Sequence, residues 1–74
     1  MTEGISIDPA VCHGKPVIKG TRVLVSTILG ALAGGDSREV VASDYSITSE
    51  QIAAALQFAS DMADFQVSAY DAVA

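Results

Sequence analysis

The sequence predicts a mainly α domain, with a short β-hairpin at its N-terminus followed by three helices. Three observations predict it. The aliphatic runs Val17-Ile18-Lys19 and Arg22-Val23-Leu24-Val25 flank Gly20-Thr21, as two strands flank a tight turn. Ser26, Ser37 and Thr48 are N-cap residue types, and Gly34-Gly35 is a stop between them. From Thr48 onward, apolar residues recur at helical spacing.

A chain of 74 residues makes one domain. Its expected parts are a β element over 5–25, a three-helix body over 26–66 and a tail over 67–74. A domain this small buries only about 60% of the surface its unfolded chain exposes. Half of the residues are nevertheless hydrophobic. Apolar surface in excess of what one small core can bury is commonly shared with a partner, so a homodimer is expected.

The net charge is −5, and it is uneven. Residues 1–25 set Lys15, Lys19 and Arg22 against Glu3 and Asp8, a net +1. Residues 26–74 set Arg38 against seven carboxylates, a net −6. An acidic total argues against non-specific nucleic-acid binding, which runs on phosphate neutralisation. It leaves one local basic patch in the N-terminal quarter. The acidic remainder suits a basic partner.

The single Cys12 and the absence of a basic-then-apolar leader point to a cytoplasmic protein. No apolar run approaches the roughly 20 residues of a membrane helix. The longest, 23–35, is broken by Ser26, Thr27 and Gly30, so no membrane role is expected.

In chain order, Ile5-Ser6-Ile7 alternates as a short strand would, and Asp8-Pro9 ends it. Cys12-His13 invites a metal or thiol reading. A metal is not expected, because zinc needs about four ligands and the chain has one Cys and one His. Nor is a nucleophilic pair, because neighbours on a strand point to opposite faces. A buried small cysteine beside a surface histidine is the bland alternative. Gly14-Lys15 lacks the glycine run and the hydroxyl residue of a phosphate loop. No cofactor is implied.

Gly20 at the first central position suits a type II′ turn, and Pro16 suits a strand start or edge. The hairpin then carries Lys19 and Arg22 beside the turn, with Lys15 nearby. These three are the candidate nucleic-acid contacts. The alternative is ordinary edge protection by charge.

The first helix is expected to start at Val25 or Ser26, with Ser26 as N-cap and Gly34 as the left-handed C-terminal residue. Ile28, Leu29 and Leu32 form its apolar stripe. Small Gly30 and Ala31 leave room for another helix. Ser37 caps a second helix running from Arg38 to about Ser43. Asp36 and Glu39 there oppose the positive end of its dipole. Thr48-Ser49-Glu50-Gln51 fits a capping box. Two helices joined by about four residues have helix-turn-helix proportions.

On the third helix, at about 100° per residue, Ile52, Leu56, Ala59 and Ala63 share one stripe. Phe58, Met62, Phe65 and Ala69 share another, and the rest is acidic. The second stripe, with Tyr70 of the tail, is the candidate partner-binding surface. The alternative is that both stripes are core. The helix has no Lys or Arg, so it is poorly suited to reading DNA in a groove.

The run Pro9-x-Val11-Cys12-x-Gly14-Lys15-Pro16-Val17-Ile18-x-Gly20-Thr21-Arg22-x-x-Val25 resembles the family known as domain of unknown function 433 (DUF433). The resemblance continues through Gly34, Ser37, Asp44-Tyr45, Thr48 and Ala54-Ala55-Leu56, covering residues 5 to 60. It departs at Ser46, where the family commonly has proline. The resemblance implies a three-helix, homeodomain-like body behind a β element. It implies an antitoxin-like, non-enzymatic protein partnered by a PIN-like ribonuclease toxin, with no catalytic residues. It also implies that the C-terminal segment takes part in neutralisation. DNA binding by an autoregulatory repressor is the alternative function, and a purely structural module is the third.

Overall fold

The computed structural model describes residues 3–64. Its elements are β1 (Ile5–Ser6), a single left-handed turn at Cys12–Gly14, β2 (Val17–Ile18), α1 (Val25–Ala33), α2 (Arg38–Tyr45) and α3 (Ser49–Ala63). The chain is mainly helical, with one short antiparallel strand pair ahead of the three helices.

The strand pair differs from the expected local hairpin. β2 pairs with β1, Ile5 opposite Ile18 and Ser6 opposite Val17. The 22–25 segment contributes only a bridge from Leu24 to Val17. β2 therefore lies between the two, its Ile18 N–H donating to the Val23 carbonyl at 2.9 Å. The physical reason is burial. Ile5 and Ile18 enter the same core, and no turn signal near Gly20 carries that information.

The turn itself is also shifted by one residue. Thr21 N–H donates to the Ile18 carbonyl at 2.9 Å, which makes Lys19 and Gly20 the central pair. Gly20 has φ +81 at the third position, where type II turns require it. Thr21 Oγ1 donates to the same carbonyl at 2.8 Å and accepts from Val23 N–H at 3.0 Å.

Cys12 and His13 do not sit on a strand. They take φ +50 and +60, and Gly14 takes +82. Each non-glycine residue held there costs roughly 1–2 kcal/mol. The turn is closed by Gly14 N–H to Val11 carbonyl at 3.0 Å and Lys15 N–H to Cys12 carbonyl at 3.2 Å.

α1 starts at Val25, one of the two expected first residues, but Ser26 is not its cap. Leu24 is its N-cap and makes no side-chain bond. Instead the strand hands over directly, with Val25 N–H bonded to the Pro16 carbonyl at 3.0 Å. At the other end Gly34 is the C-cap at φ −78, and Gly35 takes the left-handed position at φ +103. Asp36 N–H to Ala31 carbonyl and Gly35 N–H to Leu32 carbonyl, both 3.1 Å, complete a Schellman motif. Gly30 is exposed, and a Cβ there would meet nothing within 4 Å, so no described element uses the approach it permits.

Ser37 caps α2, accepting from Val40 N–H at 3.2 Å. α2 runs on to Tyr45 and stops at Ser46, whose φ is +56. Proline, fixed near −65°, does not fit this conformation, so the departure at Ser46 matches a different helix stop. Thr48 and Gln51 form the capping box, with bonds of 3.1 and 2.8 Å. Arg38 Nη2 donates to the Ser49 carbonyl and hydroxyl at 3.0 and 3.1 Å, tying the start of α2 to the start of α3.

The core joins the layers. Ile5 and Ile18 from the strands meet Val25 and Ile28 of α1, Val41 of α2, and Ile52 and Ala55 of α3. Ile47, in the connector, is buried with them. The expected end of α3 near 66 and the 67–74 tail lie outside the described residues.

Candidate partner-binding surface

Three cations and one helix are the candidates. Lys15, Lys19 and Arg22 are all exposed. They line no common cleft. Lys19 lines a cleft of about 260 Å³ with Glu3, Gly4, Glu50, Gln51 and Ala54. Two carboxylates there compete with any phosphate for its ammonium. Arg22 lines a different cleft of about 540 Å³, with Ser6, Val11, Val17, Gly20 and Thr21, which contains no carboxylate. The left-handed turn supports this side, because Cys12 Sγ–H donates to the Arg22 carbonyl at 3.7 Å. Lys15 follows that turn and lines neither cleft.

α3 is rotated relative to the expected stripes. Its fully buried residues are Ile52 and Ala55, both 0% exposed. Leu56 is 38% exposed. The helix lies close enough to its neighbours that small Ala55 fills the contact, and Leu56 is turned outward. Phe58 is half-buried and packs against the core, so it is only partly available. Met62 stands 60% exposed near the helix end. Phe65, Ala69 and Tyr70 lie outside the described residues.

A stripe that periodicity alone did not separate runs along the outer side. Ala53, Leu56, Ser60 and Ala63 are all exposed, at spacings of three and four. Glu50, Gln57 and Asp64 border it, also exposed. Gln57 Nε2 donates to Asp61 Oδ1 at 3.0 Å, one helical turn apart. The spacing was visible in the sequence. Knowing which residues face out required the rotation set by Ile52 and Ala55. Among the described residues no three His, Cys, Asp or Glu side chains gather as metal ligands would. No described helix is long and apolar enough to cross a membrane.

The model of the family described as "Protein of unknown function (DUF433)" matches residues 5–59. This chain is a DUF433 protein. A DUF433 member from Anabaena variabilis has a similar crystal structure, with a TM-score of 0.74 and 29% identity. The similarity covers 78% of this DUF433 chain and 58% of that one. The crystal structure of Rv2018 from Mycobacterium tuberculosis matches with a TM-score of 0.64 and 38% identity, over 70% of this chain and 24% of that one. A curated M. tuberculosis protein named "Putative antitoxin VapB45" is 38% identical over 52 residues. That match takes in 70% of this chain but spans only 22% of the relative.

Proposed function

We propose that this DUF433 protein is a non-enzymatic antitoxin-like protein of the cytoplasm. It binds and neutralises a PIN-like ribonuclease toxin, as a homodimer, through α3 and the residues after it. The observation that carries the reading is the uncovered apolar side chain of Met62, 60% exposed, on a helix without a single Lys or Arg. Covering Met62 is worth roughly 1–2 kcal/mol, and the acidic surround favours a basic partner. Phe58, Met62, Phe65, Ala69 and Tyr70 are the proposed contacts. The name of the M. tuberculosis relative supports the class of partner.

The test is co-expression with a PIN-like nuclease encoded beside this chain, followed by RNA cleavage assays. A stoichiometric complex without cleavage, lost on Met62→Glu, is the expected result. Undiminished cleavage in the presence of excess chain refutes neutralisation. Light scattering of the free chain checks the dimer.

A second reading, operator DNA binding by the N-terminal element, is favoured by the carboxylate-free cleft of Arg22. Arg22→Ala then weakens binding to upstream DNA far more than Lys19→Ala, because the cleft that Lys19 lines also carries Glu3 and Glu50. Absence of a shifted complex at low salt removes this reading.

A further inference from the structure

We infer that an exposed flank of α3 is a docking seam for a basic amphipathic helix of a partner protein. The inference rests on the reading that α3 binds a protein, and it specifies a face and a partner chemistry which that reading does not.

Ala53, Leu56, Ser60 and Ala63 recur as the a and d positions of a heptad do. All four are exposed, with Leu56 at 38%. This seam runs along the exposed flank of the helix beside buried Ile52, on a different side from Phe58. Its residues are small apart from Leu56, so a second helix axis can approach to about 8–10 Å, with Leu56 as the knob.

The border of the seam decides the occupant. Glu50, Gln57 and Asp64 hold the flanking e positions, and all are exposed. The opposite flank is Ile52 and Ala59, the former wholly buried and the latter partly. The exposed flank therefore carries two carboxylates and an amide, and α3 supplies no cation of its own. Flanking charges set partner choice and orientation in paired helices. A second copy is a poor occupant. Antiparallel pairing sets Glu50 of one copy beside Asp64 of the other and Gln57 beside Gln57. Parallel pairing also brings no Lys or Arg to either carboxylate. A partner helix with leucine-type residues on its seam and Lys or Arg beside them satisfies both the apolar and the charged halves of this face.

The experiment is an NMR titration of the full chain with two synthetic helical peptides of roughly four turns. Both carry Leu at a and d. One carries Lys at e and g, and the other Glu. The expected result is that the Lys peptide moves the amide signals of Ala53, Leu56, Ser60 and Ala63. The Glu peptide then binds at least about tenfold more weakly. Leu56→Glu weakens the Lys peptide about tenfold or more. Leu56 is exposed, so the variant keeps its fold, and the dispersion of its spectrum verifies this. Ala53→Glu is the second variant and acts in the same direction.

The inference is overturned if the Lys peptide moves no signals, moves signals elsewhere, or binds no better than the Glu peptide. It is also overturned if the free chain is a dimer that Leu56→Glu dissociates, since the seam then belongs to a second copy. The function and the seam fail separately. A nuclease still captured and silenced by Leu56→Glu removes the seam and keeps the antitoxin. Peptide binding at Leu56 without nuclease neutralisation does the reverse.

Discussion

Gly4→Ala is the sharpest probe of how the N-terminal strand is seated. Gly4 takes φ +86, and a Cβ built there comes 3.1 Å from the Cβ of Ala54 on α3. Two costs arise. An L-residue in the left-handed region costs about 1–2 kcal/mol, offset by about 0.4–1 kcal/mol from the stiffer unfolded chain. The steric contact adds about 1 kcal/mol, the low end of overpacking costs, because the Ala54 methyl is anchored to the helix backbone and cannot rotate away. The total is about 2 kcal/mol, or about 8–16 °C in Tm for a domain of this size. Gly20→Ala is the control. It has φ +81 and nothing within 4 Å, so it costs only the backbone part, about 0.5–1 kcal/mol. Ala54→Gly alone costs about 1 kcal/mol of helix propensity. Urea unfolding of the wild type, both single variants at 4 and 54, and the double variant gives the coupling. The double variant is expected to be about 1 kcal/mol more stable than additivity allows. Strict additivity, or equal losses for Gly4→Ala and Gly20→Ala, refutes the close approach of the strand to α3.

Other outcomes follow from the same geometry. Gly30→Ala is expected to stabilise by about 0.5–1 kcal/mol, because its Cβ enters open space in a helix interior; a lower Tm means that something covers this side of α1 in solution. Thr48→Ala removes one half of the capping box and costs about 1 kcal/mol, read as a lower urea midpoint at unchanged m-value. Ile28→Ala, at a site with 0% exposure, costs about 2–5 kcal/mol; a smaller loss by calorimetry means that the core closes over the missing atoms.

What the sequence made legible was local. Ser37 and Thr48 announce their helices because each bonds a backbone N–H three residues away. The glycine pair at 34–35 marks a stop, but both lack a Cβ, so the residue that turns left-handed is settled only by the Schellman bonds from Gly35 and Asp36. The non-local choices were not legible. β2 has an aliphatic neighbour a few residues ahead and another twelve residues behind. The shared core with Ile5 decides between them. The rotation of α3 was hidden for a related reason. Hydrophobicity ranks Leu56 above Ala55, whereas the close helix contact selects the smaller side chain. Cys12 and His13 read as strand residues because nothing in their identity signals positive φ. The candidate surfaces inherit these limits. Lys19 and Arg22 are neighbours along the chain, yet they line separate clefts.

The seating of Ile5 against Ile52 and Ala55 also sets a timetable for synthesis. The strand at Ile5 finds this cover only when the first two turns of the third helix have been made. At about 5–20 residues per second, the roughly 50 residues between them take about 2.5–10 s to emerge. For that interval Ile5, buried in the finished fold, joins exposed Ile7 as an uncovered sticky segment on each growing chain. Glu3 and Asp8 bracket it, the flanking charge that keeps neighbouring nascent chains from pairing through such a segment. Neutralising both carboxylates would therefore be felt first on crowded polysomes, as a fall in soluble yield, before it appeared in the melting curve of the finished protein.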